Sequence, residues 1–244
     1  MNNSYSAISK KYEKLIKDCD YEKWSQYLLN VIKEYSKGNK GLDLACGSGI
    51  ITRYLSSCGY KMTGGDISME MLSQAKLEAD KCKLNIPFYQ VDLNKICLPE
   101  KYNFITIIND GINYVSQKNL SKVFNKLNKT LQKDGLLIFD ISSEYKLREI
   151  IGNNMFGEDS DDFTYLWFNN LQQDSVVMDI SCFTKSGDSY IKSEEQHVQY
   201  IHSLEDVAKI LIENNFKIVS IQGDKGEDLT NTSQRINFIA VKNG

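Results

Sequence analysis

Histidine and proline are scarce in this chain, and its cysteines are unpaired in pattern. The two histidines, His197 and His202, do not sit near the six cysteines in sequence, and no two cysteines form Cys-x-x-Cys. A zinc site needs clustered thiolates and imidazoles, so no metal is expected. No apolar run approaches transmembrane length, and Met1 to Tyr5 lack the apolar core of a signal peptide. The cysteines are therefore read as reduced and the chain as cytoplasmic, with no membrane partner. Cationic excess is missing too: 29 basic against 32 acidic residues give a formal charge of −3, which lends no electrostatic support to general nucleic-acid binding. Lys118, Lys122, Lys126 and Lys129 follow the spacing of a solvated helix face. There are no internal repeats and no low-complexity segment.

What is present suits a soluble α/β protein. With 244 residues, 41% of them hydrophobic and 25% charged, the chain can form one large domain, or a domain with an insertion. A core of that size needs no disulfide staples. Tyr21, Trp24, Tyr27, Leu28, Val31, Ile32 and Tyr35 recur at helical spacing, with Asp20 as N-cap. Strands and helices then alternate. Strands are expected at 42–46, 61–65, 86–91, 104–109 and 136–141. Helices are expected at 50–57, from Met69 to about Lys83 behind Ser68 as N-cap, and at 120–131 with Lys133-Asp134-Gly135 as the stop. This rhythm predicts a parallel sheet covered by helices.

The rhythm breaks over 143–201. Period-two stretches at 163–168 and 175–180, with a turn at Lys185-Ser186-Gly187-Asp188, predict an inserted antiparallel β layer. Helix and strand resume at 203–215, 217–221 and 236–241. The expected division is a main domain of 1–142 with 202–244, including an N-terminal helical cap over 1–36, and an inserted substrate or lid subdomain over 143–201.

Chemistry concentrates at Asp43-Leu44-Ala45-Cys46-Gly47-Ser48-Gly49. Gly47 and Gly49 let the backbone turn tightly beneath a ligand, and the following helix points its N-terminus there. A dinucleotide fingerprint would continue to a third glycine, where this chain has Thr52. Asp43 would repel a diphosphate and suits a cationic amine, directly or through water; a turn-capping acid is the alternative. Asp66 ends the second strand, where a carboxylate can accept both ribose hydroxyls or cap the next helix. Asp92-Leu93 follows the third strand, placed to meet an adenine or to close a turn.

These motifs, with Gly65-Asp66-Ile67-Ser68-x-x-Met71-Leu72 and Lys133-Asp134-Gly135-Leu136-Leu137-Ile138-Phe139-Asp140, resemble those of class I S-adenosylmethionine-dependent methyltransferases. Tyr12-Glu13-Lys14-Leu15, Asp20-Tyr21-x-x-Trp24, Asp110-x-x-Asn113-Tyr114, Gly152-Asn153-Asn154-x-Phe156, Trp167 and Glu194-Glu195-x-His197 resemble a mostly uncharacterised bacterial subfamily related to sugar N,N-dimethyltransferases. Ile8, Glu13, Tyr200 and His202 depart from that pattern. The resemblance implies a Rossmann-like, doubly wound seven-stranded sheet and S-adenosyl-L-methionine as cofactor, with S-adenosyl-L-homocysteine as product. It implies a cofactor site of Tyr12, Tyr21, Trp24, Asp43, Ala45, Cys46, Gly47, Gly49, Asp66, Ile67, Met71, Asp92, Leu93 and Asn109. From periodicity alone, Tyr21 and Trp24 read as helix-core residues.

Methyl transfer from a sulfonium is an in-line displacement in which positioning does most of the work. The candidate groups for the acceptor are Asp110, Tyr114 and His197. Tyr114 can orient or deprotonate a nucleophile, or serve only as pocket wall. His197 can be a base in a lid or a structural hydrogen-bond partner. The leading expectation is methylation of N or O on a small molecule by a monomer or homodimer. The alternatives are an RNA methyltransferase and a catalytically silent cofactor-binding protein. Asn109-Asp110-Gly111-Ile112 stands where base amine methylases carry Asn/Asp-Pro-Pro-aromatic, which argues against a nucleic-acid acceptor.

Overall fold

The computed structural model describes residues 20–98 and 100–244. The first helix among the described residues, α1 (Tyr21–Tyr35), starts where Asp20 accepts from the Lys23 amide, and it buries Trp24, Leu28, Val31 and Ile32. Strands β1 (Lys40–Leu44), β2 (Lys61–Asp66), β3 (Phe88–Gln90), β4 (Tyr102–Ile107) and β5 (Leu131–Ser142) alternate with helices α2 (Ile50–Ser57), α3 (Met69–Lys81) and α4 (Gln117–Thr130). After a second sheet come α5 (Leu204–Glu213), β10 (Phe216–Gln222) and β11 (Arg235–Lys242). The seven-stranded sheet runs β10-β11-β5-β4-β1-β2-β3. β11 is antiparallel to both of its neighbours, and the pairs among β1 to β5 are parallel.

Both faces of this sheet are covered. Leu42, Ile105, Ile107, Leu137 and Phe139 pack beneath Leu120, Phe124, Val207 and Leu211 of α4 and α5. Phe104, Leu136 and Ile138 pack beneath Trp24, Leu28 and Leu55 of α1 and α2. Near-continuous apolar strands are what a sheet buried on both faces requires. Each fully buried Leu or Phe contributes about 1.5–3 kcal/mol. The chain reverses its winding between β1 and β4, and that point opens a crevice at the carboxyl ends of the strands.

Two local expectations are corrected. Strand three is shorter than 86–91, because Pro87 has no amide to donate and its carbonyl instead accepts from Gly64; Ile86 is buried from the preceding loop. Lys133-Asp134-Gly135 does not stop a helix. α4 already ends at Thr130, Leu131 is buried as the first residue of β5, and the tripeptide bulges between the pairs Tyr102↔Leu131 and Phe104↔Leu136, with Asp134 at φ 56°.

The second sheet lies between β5 and α5. It is antiparallel, in the order β6 (Met155–Ser160), β7 (Phe163–Leu171), β8 (Ser175–Ser186) and β9 (Ser189–Tyr200). Gly187-Asp188 is the two-residue link between β8 and β9, and the left-handed backbone of Gly187 fits the twist of the flanking strands. Leu147 and Ile151, in a wide helical turn at the start of the insert, pack with Val176, Met178 and Ile201.

Candidate active site

β1 delivers Asp43 to the crevice and then turns. Ala45 (φ 54°), Gly47 (φ 53°) and Gly49 (φ 73°) all adopt left-handed backbone. A Cβ on Gly47 would meet nothing within 4 Å, so the peptide faces open space. Gly49 has a different reason to be glycine: a Cβ there would sit 3.0 Å from that of Ala75 and 3.3 Å from the Phe88 ring. It caps α2 and packs against α3, and it does not line the cavity.

Asp66, at the end of β2, holds the turn. One carboxylate oxygen accepts from the Gly47 amide at 2.8 Å, the other from the Ser68 amide at 2.9 Å. Burial pushes its carboxyl above the ordinary value, against the pull of those amides. The Ile67 amide adds to that pull, and the acceptor capacity these amides leave unused remains for a ligand hydroxyl. Ser68 caps α3 by accepting from the Met71 amide. Asp92 accepts from the Asn94 amide at 2.8 Å and opens a short helical turn over Leu93–Lys95.

Asp43 is only 2% exposed. Its two oxygens accept from Thr52 Oγ1 at 2.6 Å and Thr106 Oγ1 at 2.8 Å. Burial pushes its carboxyl up to about 6, the two hydroxyls pull the other way, and the charge of Asp66 adds to the rise. Thr52, in the third-glycine position, thus has a partner that its place in the motif did not suggest.

At the other end of the crevice, Asn109 (φ 59°) and Asp110 (φ 54°) follow β4 in consecutive left-handed conformations, which Asn and Asp tolerate best among residues with a Cβ. Asn109 Nδ2 donates to Tyr21 Oη at 3.0 Å and so joins α1 to the rim. Tyr114 ends a helical turn over Gly111–Tyr114. Together these segments enclose a cavity of about 250 Å³. Its wall includes Tyr21, Asp43, Ala45, Cys46 and Gly47 from the cap and first loop. It also includes Asp66, Ile67, Met71, Asp92 and Leu93 from the next two strand ends, then Asn109 and Tyr114. Asn94, Ile108 and Val115 also face it and were not picked from sequence, although each neighbours a residue that was.

The remaining expected residues lie elsewhere. Trp24 is fully buried under α1, edge-on to Tyr27 and with Lys225 and Arg235 over its ring. It is a core residue outside the cavity wall, as helical periodicity suggested. Asp110 is also outside the wall. Its carboxylate turns toward the sheet, accepting from Ser142 Oγ at 2.8 Å with Lys146 Nζ at 3.8 Å, while its amide donates to Asp140. Burial raises its carboxyl, but Lys146 and Arg235 outweigh that and hold it below the usual value. The left-handed turn at Asn109 sends the two neighbouring side chains to different sides. His197 lies on β9, behind Tyr114 and not in the wall. Tyr12 falls outside the described residues. Among the described residues, no three His, Cys, Asp or Glu side chains gather as metal ligands, and no helix is long and apolar enough to cross a membrane.

Residues 42–135 match the family model described as a methyltransferase domain. A solved S-adenosylmethionine-dependent methyltransferase from Clostridium acetobutylicum is 31% identical, over 98% of this chain and 99% of that one, with a TM-score of 0.91. The chain belongs to the S-adenosylmethionine-dependent methyltransferases. YqeM of Bacillus subtilis, whose name carries a provisional methyltransferase assignment, is 29% identical to this methyltransferase over 98% of this chain and 97% of its own. The sugar N-methyltransferase KedS8 from a Streptoalloteichus species shares the fold, with a TM-score of 0.79 at 17% identity, over 100% of this chain and 94% of that one.

S-adenosylmethionine is the methyltransferase's cofactor, and the cavity suits it chemically. The open space in front of Gly47 admits a ligand against bare backbone. Asp43, Asp66 and Asp92 line the cavity, and the cofactor carries an ammonium, hydroxyls and an amine, all groups from which a carboxylate can accept.

Proposed function

We propose that this methyltransferase transfers the methyl group to nitrogen or oxygen of a small-molecule acceptor. The observation that carries the reading is the rim formed by Tyr21, Asn109 and Tyr114, with the second sheet behind it. The net negative charge supports a small acceptor over nucleic acid. So does the analogy with the sugar N-methyltransferase that shares the fold.

When bound, the cofactor supplies a methyl group on a sulfonium, already activated for displacement. Asp66 would accept from the ribose hydroxyls while keeping its two backbone amides. Asp92 would accept from the adenine amine, with Leu93 against the ring. Asp43, braced by Thr52 and Thr106, would meet the cationic amine directly or through water. Asn109 and Tyr21 would close the cofactor end of the rim, and Tyr114 would face the acceptor. In this reading Asp110 shapes the turn that presents Asn109, and residues 143–201 act as the acceptor-facing subdomain. The protein works as a monomer or homodimer in the cytoplasm.

The test incubates the protein with methyl-labelled cofactor and separate pools of small metabolites, amino sugars and bulk RNA. Label in the small-molecule fraction is expected. Label in RNA would overturn the reading, and cofactor binding without any transfer would make the chain a silent binding protein.

A further inference from the structure

β9 is stitched to the Tyr114 segment on both sides. Before it, the fully buried Asn113 donates from Nδ2 to the Tyr200 carbonyl at 2.9 Å. After it, His202 Nε2 lies 3.0 Å from the Val115 carbonyl, and its Nδ1 lies 2.8 Å from Gln117 Oε1. These contacts fix the register of β9 against Tyr114. Strand period then puts Glu195, His197 and Gln199 on one face.

The His197 ring meets the Tyr114 ring edge-on, with centroids 6.0 Å apart and planes at 77°. Beyond it, Glu195 Oε2 lies 3.2 Å from His197 Nε2, and the two side chains are 4% and 2% exposed. Their cross-strand neighbours are Ile180 and Met178, both apolar. An acid and an imidazole buried in such a place are no better for stability than apolar residues of similar size. Their geometry, an acid aligning a ring that backs a cavity-wall phenol, has a use in chemistry.

We propose that Glu195 and His197 are positioning residues for methyl transfer, acting through Tyr114. Glu195 accepts from the Nε2–H of His197 and fixes the tautomer and plane of the imidazole. The imidazole in turn fixes the Tyr114 ring and sets the charge that its hydroxyl experiences. The inference rests on the reading that Tyr114 faces the acceptor. Two other titratable groups interact with this face of β9: Cys182 on β8 with Glu195, and Asp110 with Gln199. Burial and the charge of Glu195 push the Cys182 thiol up to about 11, and Asp110 is drawn toward the same strand by its interaction with Gln199.

The sequence carries two histidines, so imidazole NMR signals are easily assigned by His197→Phe. Labelling tyrosine at Cζ adds a phenol signal for Tyr114, identified by its loss in Tyr114→Phe. The expected wild-type result is a His197 ring protonated at Nε2, as the contact with Glu195 requires. Glu195→Gln should let the other tautomer appear and move the Tyr114 signal, and His197→Phe should move that signal too. A Tyr114 signal that stays in place in both variants overturns the proposal. If neither variant folds, a wild-type His197 ring protonated at Nδ1 alone overturns it. Cofactor affinity by calorimetry and label transfer are read separately: both variants should bind cofactor as the wild type does and transfer label more slowly. A moved Tyr114 signal with intact transfer sinks only this inference. Transfer indifferent to Tyr114→Phe sinks the reading of Tyr114 instead.

Discussion

The Thr52 hydroxyl donates to the Asp43 carboxylate across 2.6 Å, nine residues apart in sequence and both buried. The third-glycine position of a dinucleotide loop is thereby committed to bracing an acid. Thr52→Val keeps the shape and removes the donor. Because a buried hydrogen bond to a charged group is worth about 1.5–3 kcal/mol, the variant should bind S-adenosylmethionine about tenfold or more weakly in calorimetry. Unchanged affinity would show that Asp43 needs no brace.

Asp43 also sets a pH dependence. Its folded value of about 6 lies above the unfolded carboxylate value, about 3.9. Ionising it inside the ligand-free fold therefore costs stability. That cost is absent below about pH 4, grows as pH rises, and is complete above about pH 6. A cofactor ammonium favours the ionised form, so affinity should weaken as pH falls through about 6. Calorimetry from pH 5 to 8 checks this; a flat profile would remove Asp43 from amine recognition.

Asp66→Ala removes the proposed ribose acceptor together with the partners of the Gly47 and Ser68 amides. Losing charge-assisted bonds of about 1.5–3 kcal/mol each predicts at least a hundredfold weaker cofactor binding. The variant should also melt earlier, since the buried Ser68 amide and the half-buried Gly47 amide lose their acceptor. Near-wild-type affinity contradicts the assignment.

Tyr114→Phe keeps the cavity wall and removes one hydroxyl. Cofactor affinity should stay within about twofold, while turnover on an acceptor found by label transfer should drop about a hundredfold, the lower end for a positioned acid–base group. Equal rates would leave Tyr114 as wall alone.

Behind the rim, Arg235 pairs with the fully buried Asp140, whose other contact is the Asp110 amide. Arg235→Ala leaves that carboxylate buried and unpaired, at a cost of about 3–5 kcal/mol. Urea unfolding should show it as a lower midpoint with unchanged slope. Arg235→Met with Asp140→Leu should recover only part of the loss, since the Asp110 amide then has no acceptor.

The glycine turn, the strand-end acids and the βα alternation were legible because each is a local pattern with a fixed period or spacing. The strands over 163–168 and 175–180 were legible for the same reason. The stop after α4 was misread because Lys133-Asp134-Gly135 has turn chemistry that suits a bulge as well as a helix end. Only pairing with β4 chooses between them.

The sequence by itself determined the family and the cofactor class, and it picked out Asp43, Asp66 and Asp92 by their positions at strand ends, from which all three line one cavity. Only the tertiary structure decided which neighbours share the work. Trp24 went to the core while Tyr21, three residues earlier on the same helix, reached the rim through Asn109. Asp110 turned from the cavity because its backbone is left-handed and Ser142, Asp140 and Lys146 await it on other elements. Thr52 met Asp43, and Glu195 and His197 came up behind Tyr114. Side-chain direction depends on which elements pack together, and no local period in the chain carries that information.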